Sequence, residues 1–90
     1  MPYNVVTVTD SATLIIEQNT RRKDLNILNF SDTLIVYIGP DSNVTVLNGF
    51  PVYPNQGFSN KINIASHWKG PIYGVVAGGT SNVRYWEIQE

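Results

Sequence analysis

The sequence predicts an all-β protein, an antiparallel β-sandwich or barrel of jelly-roll type with about eight strands. Two observations support this class. β-Branched and aromatic residues cluster in short blocks, and Gly, Pro, Asn, Asp and Ser separate the blocks at intervals of about eight to twelve residues. Turns at this spacing are typical of antiparallel sandwiches and barrels. Only the stretch 17–24 is compatible with a helical turn, and it is short and contains mediocre helix formers.

In chain order, the predicted strands cover 4–8, 13–17, 24–30, 33–38, 43–47, 50–53, 58–65, 72–77 and 82–88. The strongest turn signal between them is Asn48-Gly49, because both residues tolerate the positive φ angles of a type I′ turn. This pair predicts that 44–47 folds back on 50–53 as a hairpin.

Hydrophobic alternation predicts which strand faces are covered. In Lys61-Ile62-Asn63-Ile64 every second side chain is apolar, which indicates one solvent-exposed face. The segment 33–38 is apolar on both faces, and 5–8 is nearly so, which predicts central strands or strands covered by a neighbouring chain. In 25–30 the apolar parity changes between Ile27 and Leu28, which predicts a β-bulge or a sheet corner at that point.

Length and composition exclude several classes of protein. Ninety residues form one β domain over 1–90, with a single small core. The chain has no cysteine and one histidine, His67, so it has neither disulfides nor the roughly four nitrogen or sulfur ligands of a structural zinc site. A net charge of -1 argues against a nucleic-acid partner. No apolar stretch approaches the roughly 20 residues that span a bilayer, and Met1 to Asn4 do not resemble a signal peptide.

No residue pattern predicts catalysis or a cofactor. Ser66 and His67 are adjacent, so in an extended segment their side chains point in opposite directions. The carboxylates are scattered singly. A strand, not a helix, follows Gly78-Gly79-Thr80-Ser81, which favours a turn over a phosphate-binding loop. Asp41-Ser42-Asn43 offers too few oxygens for calcium and is better explained as a turn. We therefore expect a non-enzymatic protein without a metal or cofactor.

Three features are candidates for binding a partner. The run Arg21-Arg22-Lys23 holds half of the six basic residues, and it is either a docking site for an acidic protein surface or a solvated loop end. Trp68, in a polar loop, is either an exposed anchor or a lid over the core. The segment 1–5 suits an extended N-terminal arm that adds a strand to a partner. The predicted contacts are Pro2, Tyr3, Asn4, Arg21, Arg22, Lys23 and Trp68.

The order of several motifs resembles that of small proteins encoded among tailed-phage virion genes. The motifs lie at 21–29 (RRKDLNILN), 36–39 (VYIG), 48–57 (NGFPVYPNQG), 70–80 (GPIYGVVAGGT) and 83–87 (VRYWE). The resemblance covers roughly residues 11 to 88. The chain departs from the pattern at Tyr53 and Asn55, where such proteins more often have Leu and Gly. The resemblance implies a compact β-sandwich or barrel used on the virion, as a head decoration or cement protein or as the base module of a fibre.

From these observations we expect a capsid decoration protein that is made in the host cytoplasm, binds the outer surface of the assembled head and stabilises it. Its partner would be the major capsid protein, and the chain would form a homotrimer without contacting nucleic acid or a membrane. The alternative is a tail or fibre recognition module that uses exposed aromatic and Asn side chains to bind a host glycan or another virion protein.

Overall fold

The structure, a computed structural model, describes residues 3–55, 57–58 and 69–89. The described residues form seven strands of three residues or more and one two-residue strand. In chain order the strands are β1 (Tyr3–Val8), β2 (Thr13–Ile16), β3 (Arg22–Phe30), β4 (Val36–Gly39), β5 (Phe50–Val52), β6 (Gly57–Phe58), β7 (Ile72–Val75) and β8 (Ser81–Gln89). This part of the chain contains no helix, and therefore no helix capable of crossing a membrane.

The strands form two antiparallel sheets that enclose one hydrophobic core. The front sheet has the order β1-β8-β3-β6, and the back sheet has the order β2-β7-β4-β5. One cluster of buried side chains joins them: Val8, Leu25, Ile27 and Val83 come from the front sheet, and Ile15, Ile16, Val36, Ile38, Val52, Ile72 and Val76 come from the back sheet or its connections. The all-β prediction is confirmed and the arrangement is sandwich-like, with seven longer strands where about eight were predicted.

The connections between strands alternate between the two ends of the sandwich. The Asn29 end comprises 9–12, 31–35, 53–55 and 76–80, and the Leu47 end comprises 17–21, 40–49 and 69–71. Backbone hydrogen bonds tie connections together at each end: Val76 N donates to Thr9 O at 3.0 Å, and Asn19 N donates to Lys69 O at 2.8 Å. Each end is therefore a defined surface and not a set of separate loops.

Over residues 25–30 the side chains of β3 alternate without interruption, which corrects the prediction of a bulge or corner between Ile27 and Leu28. Leu25, Ile27 and Asn29 are buried, whereas Leu28 and Phe30 point outward. Pairing with β8 continues over 24–30, and the only register shift of this pair falls before residue 24. The parity of apolar residues was misleading because a polar residue, Asn29, occupies an inward position.

Asn29 is fully buried and connects four parts of the sandwich. Its Nδ2 donates to Leu34 O at 2.7 Å and to Val52 O at 2.9 Å. Its Oδ1 accepts a hydrogen bond from Ser81 Oγ at 2.7 Å, and its backbone O accepts one from Asn55 N at 2.9 Å. Burying an amide is favourable only when its polar atoms are bonded, and this condition is met here. Asn29 therefore joins β3 to β5, to β8 and to the connections that follow β3 and β5.

The predicted strand 43–47 and the type I′ turn at Asn48-Gly49 are wrong. Among the described residues, only Asn55 (φ 57°) and Gly79 (φ 79°) have positive φ, so Asn48-Gly49 does not adopt a type I′ turn. Instead, Asn48 Oδ1 accepts a hydrogen bond from Thr45 N at 2.7 Å, and Gly49 N donates to Thr45 O at 2.8 Å. Side-chain hydrogen bonds within the connection replace strand pairing. β5 pairs with β4, and residues 40–49 form the connection between these two strands.

Gly49 and Asn55 each occupy a special backbone position. A Cβ at Gly49 would lie 2.5 Å from Tyr37 Cβ, so glycine is required there by close packing and not by φ. Asn55 lies in the left-handed region, where glycine is favoured and Asn is tolerated.

The covered strands are partly as predicted. β4 lies inside the back sheet between β7 and β5, and its Val36 and Ile38 are buried, which confirms a central strand within 33–38. β1, in contrast, is at the edge of the front sheet, and its Val5 is half exposed. The alternation predicted over 61–64 falls outside the described residues.

Candidate functional site

The outward side of the front sheet carries a contiguous group of large exposed side chains. We call this group the front face; it consists of Val5, Leu28, Phe30, Arg84 and Trp86. Val5 and Phe30 are each 50% exposed and Trp86 is 54% exposed, so more than half of the indole surface is in contact with solvent. A typical small domain does not leave several such groups together on one face without a use for them.

Strand alternation and register bring these residues together. In β8, Val83 is buried while Arg84 and Trp86 point outward. The register with β1 and β3 places Val5, Arg84 and Leu28 in one cross-strand row. The next rows are Tyr3, Trp86 and Asn26 on one side, and Thr7, Asn82 and Phe30 on the other. β1, β8 and β3 therefore form the front face jointly.

Arg84 lies at the centre of the front face and is held by an aromatic ring. Its Cζ is 4.2 Å from the ring centroid of Phe30, a cation–π contact. Among the described outward side chains of the front sheet, Arg84 alone is charged. A guanidinium that is already positioned loses little freedom when it binds, and its planar array of donors matches a carboxylate.

The row beside Arg84 is fixed by a second contact. Thr7 Oγ1 donates to Asn82 Oδ1 at 3.2 Å, across β1 and β8. Since the face is built on hydrogen-bonded strands, the backbone beneath it needs little ordering on binding. Trp, Phe and Arg are also the residue types that contribute most at protein interfaces. The front face is therefore chemically suited to binding a protein surface.

The structure places two of the predicted N-terminal contacts in β1. Tyr3 pairs with Trp86 and Asn4 pairs with Tyr85 in this chain's own front sheet. The Asn4 side chain is exposed, and its Oδ1 accepts a hydrogen bond from Val5 N at 2.8 Å. The described part of the predicted arm 1–5 is thus an edge strand of the domain, whereas Pro2 falls outside the described residues.

The predicted basic run lies at the start of β3. Arg21 is an exposed turn residue whose backbone N donates to Asn19 Oδ1 at 3.0 Å. Arg22 and Lys23 open β3, where Arg22 pairs with Gln89. Because β8 separates β1 from β3, the register brings Tyr3 and the basic run to the same end of the front sheet, on either side of β8. Their side-chain roles stay predictions.

The exposed tryptophan that the structure describes is Trp86. The predicted anchor Trp68 lies outside the described residues. A signal for Trp86 was present in the sequence, because Val83-Arg84-Tyr85-Trp86 alternates and puts the indole on the side opposite the buried Val83. The composition of the sequence identified an excess of aromatic residues but not which of them is exposed.

The inward side of β8 has a different electrostatic character. Partial burial raises the pKa of the Tyr85 phenol, and the negative charges of Glu87 and Glu17 raise it further. Tyr85 therefore stays neutral well above physiological pH. Its side chain packs against the core cluster, on the side away from the front face.

The described residues contain no group of three His, Cys, Asp or Glu side chains able to hold a metal ion. At the candidate calcium position, Asp41 Oδ1 accepts a hydrogen bond from Asn43 N at 2.9 Å. This bond closes a turn, as the alternative interpretation of the sequence proposed.

Comparisons of the chain with protein-family models, with curated proteins and with solved structures find no match.

Proposed function

We propose that this chain is a phage capsid decoration protein that binds the outer surface of the assembled head through its front face. The observation that carries the proposal is the grouping of Trp86, Phe30, Leu28 and Val5 around a positioned Arg84 on a preformed sheet. The resemblance of the motifs to small virion proteins supplies the context. The partner would be the major capsid protein, and the chain would be located on the virion.

We further propose that the sandwich is a jelly roll. The pairs β1-β8, β2-β7, β3-β6 and β4-β5 are those of one long antiparallel hairpin whose halves run alongside each other. The additional pairs β3-β8 and β4-β7 are the ones formed when such a hairpin is wound into two sheets. Jelly rolls of eight strands are common in viral capsid proteins, which supports the proposed location.

The chemistry of the front face specifies the surface that it would bind. Burying Arg84 without a carboxylate would leave an unpaired charge in the interface, so the bound capsid surface must supply an acidic side chain among apolar groups. A ligand that binds only the assembled lattice stabilises it by mass action, by about 2.7 kcal/mol per site at a hundredfold excess over Kd. Repetition over many equivalent sites would make the shell resistant to heat and dilution.

Binding to expanded, empty phage heads tests the proposal. The wild-type chain should saturate the heads at a fixed stoichiometry, and Trp86→Ala and Arg84→Glu should each weaken binding by at least tenfold. Leu47→Ala is the control, because Leu47 is a large apolar residue that is 94% exposed but lies outside the front face. Absence of wild-type binding, or equal loss in the control, would refute the proposal.

One observation favours a second candidate, a recognition module for a host glycan. Asn26 lies directly opposite Trp86 on the outward side of the front sheet. An exposed indole beside an amide is suited to stacking on a sugar ring while bonding its hydroxyl groups. Saturable binding to host cells or polysaccharide that Trp86→Ala abolishes, without binding to heads, would support this candidate over decoration.

A further inference from the structure

We infer that β1 is a dimerisation strand: it pairs antiparallel with β1 of a second copy across a twofold axis and joins two front sheets into one. This inference goes beyond the proposed function and does not depend on it. It rests on the outer backbone edge of β1: no other described strand pairs with this edge, and a backbone edge of this kind is matched by an extended strand.

Among the described residues, β1 lacks the protection that the two edge strands of the back sheet have. β2 has a register shift, and β5 has three residues and contains Pro51. Shifts, prolines and short length are the devices by which proteins prevent pairing at sheet edges. β1 has six residues, YNVVTV, with no proline, no charge and an unbroken register with β8.

A hydrogen bond shows which backbone groups of β1 face away from the sheet. Val5 N donates to the Asn4 side chain at 2.8 Å, which indicates that this N–H points away from β8. Along a strand the backbone groups alternate in direction, so Tyr3 and Thr7 point their N–H and C=O groups the same way as Val5. Asn4, Val6 and Val8 then form the hydrogen bonds to β8. The outer edge thus offers the backbone groups of three consecutive odd-numbered residues.

A twofold axis through Val5 satisfies all of these groups. It places Val5 opposite Val5 of the second copy and Tyr3 opposite Thr7 in both directions, and each of these pairs can exchange two backbone hydrogen bonds. The central cross-strand pair, Val5 with Val5 of the second copy, joins two β-branched residues, which are favourable neighbours. No charge is brought against its own copy, because β1 has none.

The charge of Arg84 disfavours dimerisation through the front face itself. Face-to-face packing would bury two Arg84 side chains, and the described outward side chains of the front sheet include no carboxylate to pair with them. Pairing through β1 leaves Arg84 and Trp86 accessible. It also sets two front faces side by side in one continuous sheet, so that one dimer can engage two neighbouring sites on a repeating surface.

The Asn4 side chain competes with a second copy for the outer edge of β1. Its Oδ1 accepts the hydrogen bond of Val5 N in the single chain, and this bond must break before Val5 N can donate to a second β1. A strand of six residues also buries less than the roughly 800 Å² per partner of a standard interface. We therefore expect a reversible, concentration-dependent dimer.

Sedimentation equilibrium of the full chain from roughly micromolar to millimolar concentration tests the inference. Thr7→Pro removes an outward N–H that the front sheet does not use, and Val5→Lys adds a charge to the edge; each should weaken dimerisation at least tenfold. Asn4→Ala frees the Val5 N–H and should strengthen it several-fold. Leu47→Ala is the control and should leave it unchanged. Circular dichroism verifies that each variant is folded, and Val5→Lys keeps the test valid if Thr7→Pro does not fold.

Each result of these experiments either supports or overturns pairing through β1. A dimer that Val5→Lys weakens and Asn4→Ala strengthens supports pairing through β1, as does slower amide exchange of Thr7 at high concentration. A chain that stays monomeric up to millimolar concentration overturns it. A trimer also overturns it and supports the homotrimer expected from the sequence. A dimer that is insensitive to these substitutions places the interface elsewhere. Binding to heads is measured separately, so failure of the proposed function leaves this result intact.

Discussion

Replacing Asn29 by leucine removes the hydrogen bonds of one buried amide while keeping the number and branching of the side-chain heavy atoms. The side chain donates to Leu34 O and Val52 O and accepts from Ser81 Oγ. A buried polar group left without a partner costs about 1 to 3 kcal/mol. Leu34 is half-buried and its carbonyl can be solvated, whereas the Val52 and Ser81 groups are enclosed. Two buried polar groups left without a hydrogen-bond partner therefore predict a decrease of about 2 to 6 kcal/mol in the free energy of unfolding.

This loss is large relative to the whole stability of the domain. For ninety residues the free energy of unfolding is about 5 to 13 kcal/mol, so Asn29→Leu should remove a large fraction of it. Urea unfolding, followed by tryptophan fluorescence, should show a lower midpoint with an unchanged slope. Asn26→Leu, on the outward side of the same strand, is the control and should change stability by less than about 0.5 kcal/mol. A destabilisation by Asn29→Leu below about 1 kcal/mol would refute the proposed role of the amide.

Three further predictions concern other parts of the fold. Because folding raises the pKa of Tyr85, the stability that the neutral phenol contributes is present below the ordinary tyrosine pKa of about 10 and is lost as pH rises through the folded-state pKa. The unfolding free energy of Tyr85→Phe should therefore depend less on alkaline pH than that of the wild-type chain. Gly49→Ala puts a Cβ against Tyr37 and should cost about 1 to 3 kcal/mol in thermal or urea unfolding, whereas Gly78→Ala, with open space around it, should be nearly neutral. Leu47→Asn should raise solubility in precipitation assays and leave the unfolding midpoint unchanged, because Leu47 is 94% exposed.

Strand positions could largely be predicted from the sequence because alternation and turn residues are local signals. The burial of Asn29 could not, since the groups that satisfy its amide lie 5, 23 and 52 residues away in the chain. An isolated asparagine in a strand therefore resembled an interruption of the apolar pattern. The loop at Asn48-Gly49 was mispredicted for a related reason: the Asn48 side chain bonds Thr45 N, and this alternative competes with the hairpin turn.

The front face was predicted only in part because it depends on register between distant strands. Alternation indicates that Arg84 and Trp86 share one side of β8, but not that Val5 and Leu28 lie beside them. The contact between Thr7 and Asn82, which fixes one row, spans 75 positions. Sequence reasoning instead favoured the basic run and Trp68, which are conspicuous locally.

Stability and binding are separable in this domain, and that separation makes the proposals testable. The core cluster and the Asn29 amide lie on the inward sides of the strands, whereas Phe30, Arg84 and Trp86 lie on the outward side. Because Trp86 is more than half exposed, its truncation removes little buried surface and should shift the unfolding midpoint only slightly. If Trp86→Ala weakened binding to heads and stability in proportion, the indole would be part of the core and the front face would not be a binding surface. Loss of binding at unchanged stability assigns the indole to the partner.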